Sequence, residues 1–165
     1  MMDNQDFGRR LQVLEDLEAI RNMHRDYVFW INGREWDKII QCFAEDAQVQ
    51  IFRHPRCNGI DEIRHLFLDR IDKVNAGKGR DAHFTTMPVI RVDGDKARGH
   101  WMLYIMIADP VTGNALKINQ GKYECEYIKS DGRWKFSKLV WVNPWPRTPE
   151  SKPSIEDVRA MGFDF

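Results

Sequence analysis

One histidine of the chain occurs in a pattern where a catalytic base could work. His83 opens a segment of alternating apolar and polar residues and shares its predicted face with Thr85, Met87 and Val89. A neutral imidazole can take a proton near physiological pH. A histidine on an apolar strand face can equally be a packed core residue whose polar atoms are satisfied. The residue pattern leaves both interpretations open.

Three polar residues of a predicted N-terminal helix could face the same region. Tyr27 and His24 lie on the apolar stripe of this helix. A tyrosine there buries its ring and keeps a hydroxyl that needs a partner, so Tyr27 either contacts a cavity or packs in the core. His24 is predicted to pack or to lie at a rim. Asn32 ends the helix beside Gly33 and could either cap it or contact a pocket.

Aromatic and methionine side chains follow the later strands. A cavity lined by them would suit a flat, apolar substrate, although the same residues could form plain core. The predicted groups that share a face are Tyr123 with Cys125 and Tyr127, Tyr104 with Met102 and Met106, and Trp101 with Leu103 and Ile105. Arg53, Arg98 and Lys117 could offer a cation to a phenolate or enolate, or could be solvated.

Composition and charge exclude several classes of function. The 165 residues are 42% hydrophobic, and 25 basic residues balance 25 acidic ones. This balance argues against a nucleic-acid or membrane-surface partner, which would need a basic field. No apolar run is long enough to span a bilayer, and Met1–Arg10 is not a signal peptide, so we expect a cytoplasmic protein. The three scattered cysteines predict reduced thiols, glycine-rich phosphate loops are absent, and the dispersed histidines predict no metal site.

The elements that position these residues begin with helices. Helical spacing predicts a long helix over Leu11–Asn32 and a short one over Glu35–Phe43. Ala47–Arg53 alternates as a strand, Asp61–Val74 returns to helical spacing, and Asn75–Asp81 is predicted to be a mobile loop. The apolar stripe of the long helix consists of Leu14, Leu17, Ile20, His24, Tyr27, Val28 and Ile31.

A period of two then predicts an antiparallel meander. Its four strands are His83–Val92, Ala97–Ala108, Lys117–Lys129 and Arg133–Val142, and Asp-Gly turns follow the first and third. Such a sheet needs the helices to cover one face, which predicts a single α+β domain over residues 1–165. Residues 144–165 form a proline-rich C-terminal extension, and we expect Phe163 and Phe165 to anchor it near the pocket mouth or a neighbouring subunit.

The order of elements and several short motifs resemble the SnoaL-like branch of the NTF2-like superfamily. The similarity covers roughly residues 11–143. It is carried by Leu17-Glu18-Ala19-Ile20 through Trp36-Asp37, by His83-Phe84, and by Asp131-Gly132-Arg133-Trp134-Lys135-Phe136. Within the superfamily the pattern is similar to that of scytalone dehydratase, hexachlorocyclohexane dehydrochlorinase and bile-acid 7α-dehydratase.

The resemblance implies a cone-shaped fold in which the curved sheet wraps the long helix and leaves a pocket open at one end. It also implies a trimer that runs eliminations without a cofactor. His83 matches the catalytic histidine of the family. Tyr27 matches a tyrosine of the bile-acid dehydratase pattern, which implies that Tyr27 could act as a general acid. The aspartate that pairs with this histidine falls on Asn32, which departs from the pattern because an amide supplies no charge. Ile51 and Tyr123 match substrate-contacting positions of the family, and together with Val28, Met102 and Tyr104 they are the predicted substrate-binding residues.

These observations predict a cofactor-independent lyase that acts on a small aromatic or polycyclic molecule. His83 would remove a proton from carbon, followed by loss of water or halide, and retro-aldol cleavage releasing a one-carbon aldehyde is a variant. The alternatives are a binding protein without turnover and a structural subunit like the small subunit of aromatic-ring dioxygenases. We expect the His83 and Asn32 side chains to meet inside the pocket, directly or through one water, and Asn32→Asp to be tolerated.

The sequence also predicts a homo-oligomer, with a trimer as the expected state. The reason is the number of aromatic residues in the meander, which exceeds what one small core and pocket should need. The tryptophans counted are Trp101, Trp134 and Trp141, and the outer face of the sheet is the predicted interface.

Overall fold

A computed structural model describes residues 4–52, 54–75, 80–109, 111–112 and 115–142. The predicted extension 144–165, with Phe163 and Phe165, lies outside the described residues. So do Arg53 and most of the loop predicted before His83.

The helical part of the chain follows the predicted order. Helix α1 spans Asn4–Gly33 and α2 spans Trp36–Gln41. After the first two strands come α3 (Ile60–His65), a π-helical segment (Leu66–Ile71) and α4 (Asp72–Asn75), which together occupy the third predicted helix. None of the helices within the described ranges is long and apolar enough to cross a membrane.

A six-stranded sheet forms the second layer. Its strands are β1 (Phe43–Gln50), β2 (Cys57–Asn58), β3 (Arg80–Asp93), β4 (Lys96–Ala108), β5 (Ala115–Ser130) and β6 (Arg133–Val142), in the order β2-β1-β6-β5-β4-β3. The last four strands form the predicted antiparallel meander. Strand β1 joins it in parallel with β6, a pairing between distant segments that local periodicity does not indicate. The predicted α+β class and the curved, mostly antiparallel sheet are confirmed.

Helix α1 lies along the inner face of this sheet. Its side chains meet the strands in order: Asp16 binds Lys129, His24 stacks on Trp101, and Asn32 reaches His83. The buried stripe of α1 contains Asp16, Ile20, His24, Tyr27, Val28 and Ile31. The assignment of Leu14 to this stripe is wrong, because its side chain is 63% exposed. Asp16 is buried instead, four residues before Ile20, so the stripe begins at Asp16 and not at Leu14.

The inward face of β3 changes along the strand. A bulge between Thr86 and Val89 shifts the register, and Met87 adopts a left-handed backbone (φ 49°) at this point. An extra residue reverses the alternation of side chains. Met87 and Val89 are therefore exposed, whereas Ile90 packs against the core. The prediction that Met87 and Val89 share the face of His83 is wrong for this reason.

Candidate active site

His83 lies on the inner face of β3, at the end of the sheet where α1 terminates. It pairs with Ile105 of β4, whose side chain packs against the core. The His83 Nδ1 atom is buried and has no hydrogen-bond partner among the described residues. Burial lowers the pKa of His83, and Arg34 lowers it further, while Asp81 opposes both by favouring the protonated form. The net result is a neutral imidazole at physiological pH, which is the form that accepts a proton.

Asn32 and His83 are brought together, but through the main chain of His83. The Asn32 Nδ2 donates to the His83 carbonyl oxygen at 2.9 Å, and the His83 N–H donates to Asn32 Oδ1 at 2.6 Å. The expected contact between the two side chains is therefore wrong. A side-chain amide carries the donor and the acceptor that the C=O and N–H of one residue require, so Asn32 pairs with His83 of β3 as a neighbouring strand would. Asn32 is also exposed and does not lie inside the concave face.

A charged pair that the sequence interpretation missed lies beside His83. Arg34 contacts Asp81 with 3.3 Å between guanidinium nitrogen and carboxylate oxygen, and its other terminal nitrogen lies 3.8 Å from Asp72. Arg34 follows the end of α1 in a left-handed backbone conformation (φ 56°). Asp81 precedes His83 by two residues, and strand alternation could have placed both on one face. The sequence pattern predicts a loop over Asn75–Asp81, whereas β3 begins at Arg80 and includes Asp81.

Two buried tyrosines, Tyr27 of α1 and Tyr123 of β5, contact each other between the helix and the inner face of the sheet. Tyr27 is fully buried and Tyr123 nearly so, and their ring centroids are 6.4 Å apart at 71°. Burial raises the pKa of both hydroxyls, so both remain protonated and can act as hydrogen-bond donors. The Tyr123 hydroxyl is near enough to raise the pKa of Tyr27 further, but no described residue holds the Tyr27 hydroxyl in good hydrogen-bond geometry. An unsatisfied buried hydroxyl is costly unless a ligand or water completes it.

Trp141 forms a second part of the inner face that the sequence interpretation did not assign to the site. Its ring stacks on Phe52 with 4.4 Å between centroids. Its Nε1 lies over Gly121, where a Cβ would be only 1.7 Å away. This nitrogen is also buried without a partner in the described part of the chain. Ile51, next to Phe52, packs against the core, as does Val28 of α1.

Two predicted substrate contacts lie on the opposite face of the sheet. Met102 pairs with Lys122, and Tyr104 pairs with Phe84 and Gln120. The Gln120 Nε2 donates to the Tyr104 hydroxyl at 3.0 Å. The prediction that Met102 and Tyr104 contact the substrate is wrong. The side chains on both faces of β4 are apolar, so the composition does not show which face points inward, and only the pairing register decides it.

The remaining reactive groups are placed elsewhere. Cys42, Cys57 and Cys125 are free and buried. Burial raises the pKa of Cys42 and Cys125 to about 12, so these thiols stay protonated. The described residues contain no group of three or more His, Cys, Asp or Glu arranged to hold a metal ion. An open groove of about 640 Å³ between α1, α2 and the start of β6, lined in part by Met23, Trp30 and Trp134, includes none of the predicted site residues.

The comparisons with known proteins agree on the fold. The SnoaL-like domain family matches residues 12–140. A search of curated proteins gives no match. An NTF2-like protein with a cystatin-like fold from Novosphingobium aromaticivorans has a TM-score of 0.74 at 17% identity, covering 90% of this chain and 95% of that one.

Two further solved structures carry functional descriptions of their own. A candidate scytalone dehydratase from Novosphingobium aromaticivorans has a TM-score of 0.65 at 19% identity, covering 82% of this chain and 96% of that one. The hexachlorocyclohexane dehydrochlorinase LinA-type3 from Novosphingobium barchaimii has a TM-score of 0.68 at 20% identity, covering 82% and 91%. At these identities the likeness shows the NTF2-like fold.

Proposed function

Since the chain belongs to the SnoaL-like domain family, we propose that it is a cofactor-independent lyase acting on a small aromatic or polycyclic molecule. One observation carries the proposal: a neutral, buried imidazole nitrogen, His83 Nδ1, has no partner among the described residues. A nitrogen kept unprotonated and unsatisfied on a concave face is suited to accept a proton from a bound molecule. The dehydratase and dehydrochlorinase likenesses support the same class of reaction.

The proposed reaction is an elimination. His83 accepts a proton from a carbon of the substrate, and the C–H electron pair forms a double bond to the neighbouring carbon. The leaving group departs with its own bonding pair: a halide leaves as the anion, and a hydroxyl leaves as water after it takes up the proton that His83 removed from carbon. The hydroxyls of Tyr27 and Tyr123 donate hydrogen bonds to the negative charge that develops, because their raised pKa values keep them protonated.

The apolar composition of the inner face supports an apolar substrate. Leu103 and Ile105 of β4 lie on the face of His83, and Trp141 presents an indole ring with an unsatisfied N–H. Aromatic and aliphatic walls with a few polar groups favour flat molecules that carry one or two oxygen or halogen substituents. The retro-aldol variant, in which the base acts on a hydroxyl, uses the same residues.

A ligand screen followed by kinetics tests this function. Aromatic and polycyclic alcohols and halides that raise the melting temperature are assayed for formation of a conjugated double bond by ultraviolet absorbance. We expect His83→Ala to lower kcat by about 100-fold or more while the fold is retained. His100→Ala is the matched control, since His100 is exposed on the outer face of β4. Equal activity of His83→Ala and the wild type would refute the proposed base.

A further inference from the structure

We propose that Asp81, held by Arg34, is the positioning residue that stabilises the protonated form of His83 during turnover. The inference deepens the proposed function and rests on it, because it requires His83 to take up a proton. In this proposal the negative charge that stabilises protonated His83 comes from the same strand, β3. Asn32 only holds that strand in position.

The register of β3 places Asp81 and His83 on the same face of the strand. Asp81 and His83 lie two residues apart in the regular part of the strand, before the bulge, and pair with Ile107 and Ile105 of β4. Alternation puts both side chains on the inner face, with Cα atoms about 7 Å apart. The Asp81 charge also raises the pKa of Tyr123, which lies on that same inner face.

The Arg34 guanidinium holds the Asp81 carboxylate in position. Its guanidinium contacts Asp81 at 3.3 Å and Asp72 at 3.8 Å, which ties the end of α1 to β3 and α4. The side chains of Arg34 and Asp81 are only 33% and 31% exposed, so solvent screens the pair less than it screens a surface pair. A carboxylate held in this way need not reorganise when the imidazole becomes charged.

Asn32 does not compete for this role. Both of its polar atoms are engaged by the main chain of His83. The Asn32 amide therefore fixes the position of β3, whereas the Asp81 carboxylate supplies the negative charge near the His83 imidazole.

The charged and titratable groups around the imidazole act in opposite directions. Asp81 favours the protonated form of His83 and Arg34 disfavours it. Asp72 lies behind Arg34, and Tyr27 and Tyr123 are neutral because burial raises their pKa. Asp81 is thus the one anion that these interactions assign to His83 within the described part of the chain.

Asp81 acts at the stage of the catalytic cycle in which His83 carries the proton. When the C–H bond breaks, the proton binds the imidazole and its electron pair stays on the substrate. The resulting imidazolium is stabilised by the Asp81 carboxylate, which keeps its own charge. The imidazolium then returns the proton to the departing group or to water, and the neutral base is restored.

An NMR titration of the His83 imidazole in the full chain tests this arrangement without a substrate. The signal is assigned by its loss in His83→Ala. We expect Asp81→Asn to move the midpoint to lower pH, Asp81→Glu to restore it at least in part, and Asp72→Asn to leave it unchanged. Asp72→Asn is the matched control because it removes the other carboxylate on Arg34. An unchanged midpoint in Asp81→Asn, or an equal shift in Asp72→Asn, would overturn the proposal.

Kinetics separate this inference from the proposed function. With a substrate found by the screen, we expect Asp81→Asn to lower kcat by about tenfold with little change in KM, and Asp81→Glu to recover part of the loss. If His83→Ala is inactive but Asp81→Asn has wild-type kcat, the positioning role fails and the base remains. If His83→Ala is fully active, the proposed function itself fails.

Discussion

At the scale of single residues, Asn32 joins the end of α1 to β3 with two hydrogen bonds to the main-chain N–H and C=O of His83. A carboxylate at this position would keep the acceptor for the His83 N–H. It would lose the donor and set an anionic oxygen against the His83 carbonyl. The substitution Asn32→Asp, which the sequence interpretation expected to be tolerated, should therefore destabilise the protein.

We expect Asn32→Asp to lower the free energy of unfolding by about 1–2 kcal/mol, as a lost hydrogen bond with an unsatisfied carbonyl would. Urea denaturation followed by circular dichroism measures this difference. Asn22→Asp on the same helix is the control, since the Asn22 Oδ1 only accepts a hydrogen bond from Arg25 and an aspartate oxygen can replace it. Equal stability of Asn32→Asp and the wild type would show that the two hydrogen bonds contribute nothing.

His24 is a second residue whose buried position has a measurable consequence. Its ring stacks on Trp101 with 3.9 Å between centroids, and its Nδ1 lies 3.4 Å from the Tyr127 hydroxyl. Burial lowers the pKa of His24 to about 3. The unfolded chain binds a proton at His24 near pH 6.5, whereas the folded chain does not. The contribution of His24 to the free energy of unfolding is therefore fully present above pH 6.5 and is lost as the pH falls toward 3.

The variant His24→Phe removes this titration and keeps an aromatic ring on Trp101. We expect its free energy of unfolding to depend less steeply on pH between 6.5 and 3 than that of the wild type, by a few kcal/mol over the interval. Urea denaturation at several pH values measures the two slopes. The same pH dependence of the free energy of unfolding in both proteins would mean that His24 binds a proton as readily in the folded chain as in the unfolded one.

At the scale of elements, the close approach of β5 and Trp141 depends on Gly121. A Cβ at residue 121 would meet Trp141 Nε1 at 1.7 Å, so Gly121→Ala must displace the indole ring from the inner face. We expect a loss of about 1–3 kcal/mol in stability, as for other overpacked sites, together with a change in tryptophan fluorescence. In Gly8→Ala on α1 the new methyl group meets nothing within 4 Å and should stabilise the helix by about 0.5–1 kcal/mol. Equal effects of the two substitutions would contradict the packing described for Trp141.

The elements also show what the sequence can predict and what it cannot. Periodicity predicts α1 and the meander because their buried stripes repeat regularly, whereas the inward face of His83 is indicated by the family resemblance. It misplaces Met102 and Tyr104, since β4 is apolar on both faces. The bulge after Thr86 reverses the face of Val89, and no local composition signals it. Asp81 and Arg34 meet only because the chain brings the end of α1 to β3, which is information about the tertiary fold.

At the scale of the whole molecule, the outer face of the sheet has exposed apolar side chains. Trp101 and Trp134 are buried, and Trp141 packs on the inner face, so the three tryptophans that motivated the predicted homo-oligomer do not form this surface. The exposed residues are Phe84, Met87, Val89 and Ile118, with exposures of 52%, 62%, 54% and 65%. A patch of this kind on a sheet favours association with another chain.

We propose that copies of this chain associate through the outer face, with a trimer as the expected state. Light scattering at micromolar concentration should give three times the mass of the chain, and Phe84→Glu should reduce it to that of one chain. Phe29→Glu is the control, since Phe29 is 71% exposed on α1 and away from the sheet. A monomeric wild type, or an unchanged trimer in Phe84→Glu, would contradict this interface.

As a catalyst, the whole molecule depends on a neutral His83 that takes the proton from the substrate in the proposed reaction. The pH dependence of kcat/KM tests it most directly, because a base works only when unprotonated. Burial lowers the pKa of His83 below its ordinary value of 6.5. Activity should therefore persist below pH 6.5 and fall only as the pH decreases through the pKa of His83, and Asp81→Asn should move this acid limb to still lower pH. An acid limb that is absent, or that remains in the residual activity of His83→Ala, would show that His83 is not the base.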